Sequence, residues 1–232
     1  MTEPSKSSDT LLVSELFYSI QGESTRAGLP CLFIRLSGCN LRCNYCDASY
    51  TWTEAGSAYS IAELQHWARQ HGGCRLLELT GGEPLLQKAV YPLMQALIAE
   101  GFTVLVETNG TVDLADVPLQ VGVIMDVKCP GSGMAEHGPE HCRANLTLLK
   151  HRAAQGSRDE IKFVLSGPDD FHWAMDFVHQ HQLSAYLPIL FSPLQPQFPP
   201  QKLAELMLAH NTPARLQLQL HTLLWPGATR GI

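Results

Sequence analysis

The sequence predicts an α/β fold in which a mostly parallel sheet curves into a partial, TIM-like barrel with its helices outside. Short apolar runs alternate with segments of helical periodicity along the chain, as in repeated strand–helix units. Seven of the apolar runs lead into polar or glycine-rich endings, and such endings form the site at the carboxyl face of a barrel. The chain has 232 residues, which is short for eight full units, so we expect an open barrel.

The individual elements follow from these runs in order. Strands are predicted at 11–20, 31–38, 74–80, 102–108, 121–128, 160–165, 186–192 and 215–222. Helices are predicted at 60–70, 84–100, 141–150, 169–181 and 200–211. Ser60 and Glu63 have the spacing of a capping box, and Gly101 ends a helix that is expected to be interrupted near Pro92.

Between them the chain has one irregular stretch and no domain boundary. The stretch from 129 to 140 contains closely spaced glycines and prolines. No tandem repeat or composition shift divides the sequence, so residues 1–232 are expected to form one domain. The polar residues 1–10 are expected to be mobile.

Charge and hydropathy limit the possible partners. The formal net charge is −6, which argues against a large phosphate-binding surface and therefore against nucleic acid. No apolar run has membrane-spanning length, and the polar start lacks the pattern of a secretion signal. We therefore expect a cytoplasmic protein that acts on a small molecule.

Three of the seven cysteines fall within eight residues, as Cys39-x3-Cys43-x2-Cys46. Thiolates are the ligands of iron–sulfur clusters, and three on one loop would leave the fourth iron of a 4Fe-4S cluster open to a cofactor. A structural zinc site or a fully ligated electron carrier would need a fourth ligand from elsewhere. The remaining cysteines are expected to be buried apolar residues: Cys31, Cys74, Cys129 and Cys142.

This spacing resembles the signature of the radical S-adenosylmethionine (SAM) superfamily. The resemblance implies that Cys39, Cys43 and Cys46 hold a 4Fe-4S cluster. It also implies that the amino and carboxylate groups of SAM bind the fourth iron, and that reductive cleavage gives a 5′-deoxyadenosyl radical. Tyr45 is typical of the signature and is implied to pack on the adenine.

Further polar motifs follow the predicted strands. Thr80-Gly-Gly-Glu-Pro84 resembles the superfamily's site for the SAM amino group, although by itself it would be a glycine turn. Glu107 could bind ribose hydroxyls or lie in a solvated turn. Asp126 and Lys128 end another strand, where Lys128 could pair with a carboxylate or move a proton.

Seven segments together resemble the 7-carboxy-7-deazaguanine synthase family over almost the whole chain. They are FYSIQGES with AGLPCLFIRLSGCN, CDASYTW, LTGGEPLLQ, VLVETNGT, DVKCPGSG, EIKFVLSG and LQLQLHTLLWPGATRGI. The resemblance implies a homodimer with a trimmed radical SAM barrel and an external electron donor such as a flavodoxin. It implies a lyase that converts 6-carboxy-5,6,7,8-tetrahydropterin to 7-carboxy-7-deazaguanine, with loss of ammonia, for queuosine and related 7-deazapurines.

Arg35 stands in an otherwise apolar strand, so its charge must be paired. Its planar fork suits a carboxylate, and we assign it to the carboxylate of the substrate; the alternative is a structural salt bridge with a glutamate. The remaining substrate contacts that the resemblance implies are Ile20, Gln21, Gly22, Thr80 and the terminal carboxylate of Ile232. His221, in the last predicted strand, could face the same cavity or lie in the core.

The resemblance also implies a set of cofactor contacts and one departure. The contacts are Tyr45, Cys46, Asp47, Gly82, Glu83, Glu107, Asp126, Val127, Lys128 and Ser192. The family usually carries Thr or Ser after Cys-Asp, where the hydroxyl binds Mg²⁺, but this chain has Ala48. Magnesium prefers oxygen ligands, so Ser49, Thr51 or water would have to replace the hydroxyl, or the metal dependence would be weak. Ser24 and Thr222 also differ from the usual residues.

Two other functions fit part of these observations. An activase that installs a glycyl radical on a partner protein would share the cysteine spacing and the glycine turn, but would not need Arg35. A non-catalytic iron–sulfur or zinc module would ligate every metal corner with protein side chains.

Overall fold

A nine-stranded sheet organises the part of the chain that the structure describes, which is residues 9–135 and 139–231 of a computed structural model. The strands are β1 Thr10–Ile20, β2 Pro30–Leu36, β3 Ser57–Ser60, β4 Leu76–Gly81, β5 Thr103–Thr108, β6 Gly122–Asp126, β7 Glu160–Leu165, β8 Ile189–Pro193 and β9 Arg215–Leu216. Their order across the sheet is β3-β1-β2-β4-β5-β6-β7-β8-β9. Strands β3 and β9 end the sheet, so the barrel is open as predicted.

The strands from β2 onward run parallel, whereas β1 pairs antiparallel with both β2 and β3. Parallel strands covered by helices need apolar residues on both faces. Strand β6 is buried at all five positions and β7 at all six. The predicted fold class is therefore confirmed, with an antiparallel hairpin added at one side.

Helices surround this sheet. They are α1 Tyr50–Thr53, α2 Ile61–Gln70, α3 Val90–Ala99, α4 Pro139–Ala154, α5 Pro168–Gln180, α6 Pro200–Ala209 and α7 Leu220–Leu224. The two short ones, α1 and α7, contribute residues to the cavity described below. The capping box of α2 is present, because Ser60 accepts from the Glu63 amide and Glu63 accepts from the Ser60 amide. The sequence reasoning missed α1 and β3, which are each only four residues long.

The predicted interruption of the segment 84–100 near Pro92 is present, but it lies just before that residue. A 3₁₀ turn at Pro84–Leu86 is followed by α3, which begins at Val90. Pro92 lies in the first turn of α3, where a missing amide hydrogen costs no helical bond. Gly101 follows the helix with a φ of 82°, as predicted for a helix end.

The predicted last strand, 215–222, was wrong beyond its second residue. Strand β9 contains only Arg215–Leu216, and α7 begins at Leu220. The alternating pattern in LQLQLH imitates a strand, but it is an irregular link followed by one helical turn. His221 therefore lies in α7, where its ring approaches Gly22.

The core lies between the sheet and the helices. Phe163 of β7 and Phe191 of β8 are fully buried, with ring centroids 5.6 Å apart and planes nearly perpendicular. Phe171 of α5 packs against Phe191 in the same edge-on manner. Among the described helices, none is both long and apolar enough to cross a membrane. The expected mobility of residues 1–10 concerns a segment whose first eight residues lie outside the described part of the chain.

Candidate functional site

A cavity of about 520 Å³ opens at the carboxyl ends of the parallel strands. It brings together most of the residues that the sequence singled out. Those that line it are Ile20, Gln21, Gly22, Arg35, Cys39, Cys43, Tyr45, Cys46, Asp47, Thr80, Gly82, Glu107, Asp126 and Lys128. Glu83, Val127 and Ser192 are buried beside the cavity without lining it, and Ile232 lies outside the described residues.

The loop after β2 presents three free thiols. Cys39 and Cys43 are half-buried and Cys46 is exposed. The loop is held by its backbone, since the Asn44 amide donates to Ser132 O at 2.9 Å and the Gly38 amide donates to Thr51 O at 2.7 Å. Burial raises the pKa of the Cys43 thiol, and the positive charge of Lys128 opposes part of that rise.

The donor set fits a cluster with three protein ligands. Cys31, Cys74 and Cys129 are buried and do not line the cavity. Burial raises the pKa of Cys31 and of Cys129 above the usual value for a thiol, which suits inert core residues. Cys142 has no described side chain. Within the described ranges, no three His, Cys, Asp or Glu side chains are arranged around a single ion.

The glycine turn after β4 packs directly against the cysteine loop. The Glu83 amide donates to Gly38 O at 2.8 Å. A Cβ atom on Gly82 would lie 2.1 Å from Gly38 O and 2.8 Å from Cys39 Cβ. Only glycine permits this approach, because neither neighbour is a flexible chain end. This close packing therefore fixes the position of Cys39 relative to the glycine turn.

Glu83 points away from the cavity and into the protein. It accepts from the Asn109 amide at 2.7 Å, the Leu85 amide at 3.0 Å and Thr108 Oγ1 at 2.9 Å. Burial raises its pKa to about 7 despite these bonds. Its observed contacts join the turn after β4 to the turn after β5, and a direct contact with the cofactor stays a prediction.

Asp126 and Lys128 form a pair at the end of β6. Lys128 Nζ donates to Asp126 Oδ2 at 2.7 Å. Burial alone would lower the pKa of Lys128, but Asp126, Cys43 and Tyr45 together outweigh this effect and the pKa is raised. The second oxygen of Asp126 and the hydroxyl of Ser192 are buried without a partner among the described atoms. Such polar atoms are expected to meet a ligand or water.

An ion cluster that the sequence reasoning missed forms the floor of the cavity. The ammonium of Lys162 on β7 lies 2.5 Å from Glu23 Oε2, contacts Glu107, and lies 3.9 Å from Asp126 Oδ2. Gln219 Nε2 donates to the other oxygen of Glu23 at 2.7 Å. Burial alone would lower the pKa of Lys162, but Glu107 and Glu23 raise it well above its usual value. Lys162 is thus charged and fully paired.

A second buried acid, Glu78 on β4, holds the side chain of Gln21. Gln21 Nε2 donates to Glu78 Oε2 at 2.6 Å, and Gln21 Oε1 accepts from the Glu23 amide at 3.0 Å. These two bonds fix the orientation of the Gln21 amide. Burial, and then the charge of Glu107, raises the pKa of Glu78 to about 8. Glu78 is therefore largely a neutral acid at pH 7.

The loop between β1 and β2 crosses the cavity floor to reach β7. Glu160, at the start of β7, accepts from the Thr25 amide at 2.9 Å and from Arg26 Nη1 at 2.8 Å. Two residues along, Lys162 binds Glu23 of the same loop. Alternate residues of a strand share one face, so one face of β7 anchors the whole loop.

The predicted alternative for Arg35, a salt bridge with a glutamate, is present. Arg35 Nε donates to Glu15 Oε1 at 2.7 Å, and its guanidinium carbon lies 5.5 Å from the centre of the Phe17 ring. Arg35 nevertheless lines the cavity. Its assignment to a substrate carboxylate stays a prediction.

The position after Cys-Asp offers no side-chain oxygen for magnesium. Ala48 is buried at the cavity wall. The hydroxyl of Thr51 donates to Ala48 O at 2.7 Å, and Ser49 is exposed outside the cavity lining. Neither hydroxyl takes the place of the missing one, so this wall does not fit the usual magnesium contact.

Two site residues that were not predicted, Glu78 and Lys162, have the same feature in the sequence that singled out Arg35. Glu78 and Lys162 each interrupt an apolar strand, as Arg35 does. A charged residue at such a position needs a partner, and the partner shows which face of the strand lines the site. Glu15 carried the same signal, because it interrupts the apolar run of β1. Glu23 and Gln219 gave no comparable signal, because both lie outside the strands.

Comparisons with known proteins agree with this geometry. Residues 33–125 match the family model described as the Radical SAM superfamily. The chain is 41% identical over 222 residues to the 7-carboxy-7-deazaguanine synthase of Chlorobaculum tepidum, covering 96% of this chain and 97% of the relative. It is 38% identical to that of Koribacter versatilis, covering 95% and 99%.

Solved structures show the same fold. The crystal structure of QueE from Escherichia coli matches with a TM-score of 0.71 at 24% identity, covering 90% of this chain and 94% of the other. The peptide-bound SuiB of Streptococcus suis matches with a TM-score of 0.56 at 13% identity, covering 78% of this chain and 46% of the other. These likenesses concern the fold alone.

Proposed function

This chain belongs to the 7-carboxy-7-deazaguanine synthase family, and we propose on that basis that it is a radical SAM lyase of queuosine and 7-deazapurine biosynthesis. Its reaction converts 6-carboxy-5,6,7,8-tetrahydropterin to 7-carboxy-7-deazaguanine with loss of ammonia. The observation that carries the proposal is the shared cavity. Three free thiols open into the same space as Arg35 and the ion cluster around Lys162.

The cysteine loop would hold the cluster and SAM. Cys39, Cys43 and Cys46 would ligate three irons, leaving the fourth to the cofactor. Together these groups supply a carbon-centred radical that can take a hydrogen atom from the substrate. The backbone of Gly82, the ring of Tyr45 and the exposed Asp47 line the space beside the thiols. The remaining proposed cofactor contacts are Glu83, Glu107, Asp126, Val127, Lys128 and Ser192.

The opposite end of the cavity would hold the pterin. Arg35 would bind its carboxylate, because the guanidinium fork is matched to two carboxylate oxygens. Gln21 can donate and accept towards the ring edge, and Thr80 adds a hydroxyl. The backbone of Ile20 and Gly22 and the terminal carboxylate of Ile232 complete the proposed contacts. Lys162 keeps Glu23 and Glu107 paired in the same wall.

Several finer features are proposed from the family alone. They are a homodimer, an external electron donor such as a flavodoxin, a cytoplasmic location and one domain over residues 1–232. Magnesium is a doubtful cofactor here, since Ala48 supplies no oxygen and Thr51 donates its hydroxyl to the backbone. We propose that the activity depends only weakly on Mg²⁺.

The test is turnover by the protein purified without oxygen, with its cluster rebuilt and reduced. SAM and 6-carboxy-5,6,7,8-tetrahydropterin are added, and products are followed by mass spectrometry. Formation of 7-carboxy-7-deazaguanine and ammonia supports the proposal. The synthase of a relative, assayed in parallel, is the positive control. If it is active and this protein forms 5′-deoxyadenosine without that product, the proposed substrate is wrong and a glycyl-radical activase is favoured.

The cluster itself is tested by two sets of substitutions. Replacing Cys43 with alanine should abolish the iron–sulfur absorbance of the rebuilt protein. Replacing the other four cysteines together should leave it: Cys31, Cys74, Cys129 and Cys142. Loss of the absorbance in the fourfold variant, with its circular dichroism unchanged, would mean that a fourth thiol ligates the metal, as in a non-catalytic module.

A further inference from the structure

Residues near the end of the described chain line the cavity. The segment that we term the tail, 225–231, follows α7 and contributes six consecutive residues to the cavity wall. Its backbone is almost entirely outside regular structure. A segment of this kind needs specific contacts to hold it in place.

The tail is held at its far end by two charged side chains. The Gly231 amide donates to Glu15 Oε2 at 3.0 Å. Arg230 Nη2 donates to Glu54 Oε1 at 2.5 Å, and the Arg230 guanidinium lies 4.3 Å from the centre of the Tyr50 ring. The tail is thus attached to β1 and to the loop around α1.

The same glutamate also holds the proposed carboxylate receptor. Glu15 Oε1 accepts from Arg35 Nε at 2.7 Å and from Tyr50 Oη at 2.6 Å. One carboxylate therefore connects Arg35, Tyr50 and Gly231. Because the Nε edge of Arg35 is occupied by Glu15, a ligand would be bound through the terminal nitrogens of the guanidinium.

We propose that Glu15 is a positioning residue that couples the orientation of Arg35 to closure of the tail over the cavity. This rests on the proposed function, in which Arg35 binds the substrate's carboxylate. With Glu15 in place, Arg35 faces the cavity while the tail covers the mouth. Without it, the tail loses its anchor and Arg35 loses the bond that orients it.

The two attachments of the tail differ in strength. The side chains of Arg230 and Glu54 are 49% and 55% exposed, so their ion pair contributes little in water. The Gly231 bond also lies at the surface, but its acceptor Glu15 is only 14% exposed and is held in place by Arg35 and Tyr50. A hydrogen bond to a charged acceptor that is already fixed loses less entropy when it forms, so Glu15 is the main anchor of the tail and Arg230 the minor one.

The direct test is trypsin cleavage after Arg230, followed by intact mass spectrometry of the cluster-loaded protein without substrate. Cleavage of a covered segment follows the population of its open form. In the Glu15→Gln variant, an amide NH₂ group replaces one carboxylate oxygen. An NH₂ group that faces Gly231 cannot accept the hydrogen bond that the Gly231 amide donates to Glu15. We expect cleavage about tenfold faster than in the wild type, as expected for loss of one charged hydrogen bond.

Two controls separate this effect from general loosening. The Glu54→Gln variant removes only the exposed ion pair, and its cleavage rate should rise less than threefold. Cleavage after Arg158, which is exposed in a loop before β7, should be equal in all three proteins. Equal cleavage after Arg230 in Glu15→Gln and wild type would overturn the anchor.

The coupling to Arg35 is tested by binding. Glu15→Gln should weaken binding of 6-carboxy-5,6,7,8-tetrahydropterin at least tenfold and binding of tetrahydropterin without the carboxylate less than threefold. An equal loss for both ligands would overturn the coupling to Arg35. The cleavage experiment does not require turnover, so it tests the anchoring of the tail independently of the proposed function. If the wild type makes no product, the proposed function is wrong, and the cleavage rates still show whether Glu15 anchors the tail.

Discussion

Lys162 Nζ lies 2.5 Å from Glu23 Oε2, and the two residues are 139 positions apart in the sequence. Only 4% of the Lys162 side chain is exposed. Because the same ammonium contacts Glu107, a single buried charge joins the loop after β1 to β5 and β7. Three separate parts of the chain must therefore be in place before the floor of the cavity exists.

Replacing Lys162 with methionine should destabilise the protein strongly. Methionine fills a similar volume but leaves two carboxylates unpaired in a buried site, which costs about 3–5 kcal/mol. Urea unfolding followed by circular dichroism measures the loss. Lys202→Met is the matched control, since the exposed pair of Lys202 with Glu205 should contribute almost nothing. A variant as stable as the wild type would show that the floor tolerates uncompensated acids.

Glu78 should make the stability of the protein depend on pH. Its pKa is raised from 4.5 to about 8, so the folded state binds this proton more tightly than the unfolded state. The stabilisation is complete below about pH 4.5 and is lost as pH rises through about 8. Glu78→Gln resembles the neutral acid and still accepts from Gln21, so it should lack this dependence.

The measurement is urea unfolding of wild type and Glu78→Gln between pH 5 and pH 9. The wild type should lose on the order of 1–3 kcal/mol of unfolding free energy relative to the variant across this range. A constant difference between the two curves would mean that Glu78 is ionised throughout.

Gly82→Ala should prevent the cysteine loop from reaching its position. The added Cβ would meet Gly38 O at 2.1 Å, and this contact is with backbone that cannot rotate away. We expect at least a twofold drop in the iron bound after reconstitution. Gly73→Ala is the control, because no atom lies within 4 Å of its Cβ position. Full iron content in Gly82→Ala would show that the loop adjusts without losing the cluster.

Ala48→Thr should change the response to magnesium. The substitution restores a hydroxyl at the cavity wall, where the wild type has a methyl group. Wild-type turnover should vary less than twofold between Mg²⁺ and a chelator, whereas the variant should gain a larger stimulation by Mg²⁺. Strong magnesium dependence of the wild type would mean that water or Asp47 replaces the missing ligand.

The fold could be predicted because its signals are local. Apolar runs fix the parallel strands, and the Ser60–Glu63 capping box fixes the start of α2. The errors arose where local pattern and tertiary position disagree. The alternation in 215–222 has the period of a strand. The Leu220 amide instead donates to Gly22 O, and α7 begins at Leu220.

The site was predictable to the extent that its residues follow strand ends. Thr80, Glu107 and Asp126 were found in this way, and the cysteines by their spacing. Glu78 and Lys162 lie inside strands, and their role depends on which face of the sheet lines the cavity. The partners of Glu15 could not be predicted, because they are 20, 35 and 216 positions away.

The anchoring of the loop after β1 to β7 has a mechanical consequence. Glu160 and Lys162 hold that loop by buried ion pairs on two successive inward positions. Because two ion pairs hold the loop, we expect the width of this part of the cavity to change little when a molecule binds. Movement on binding is then expected in the tail, whose contacts lie at the surface.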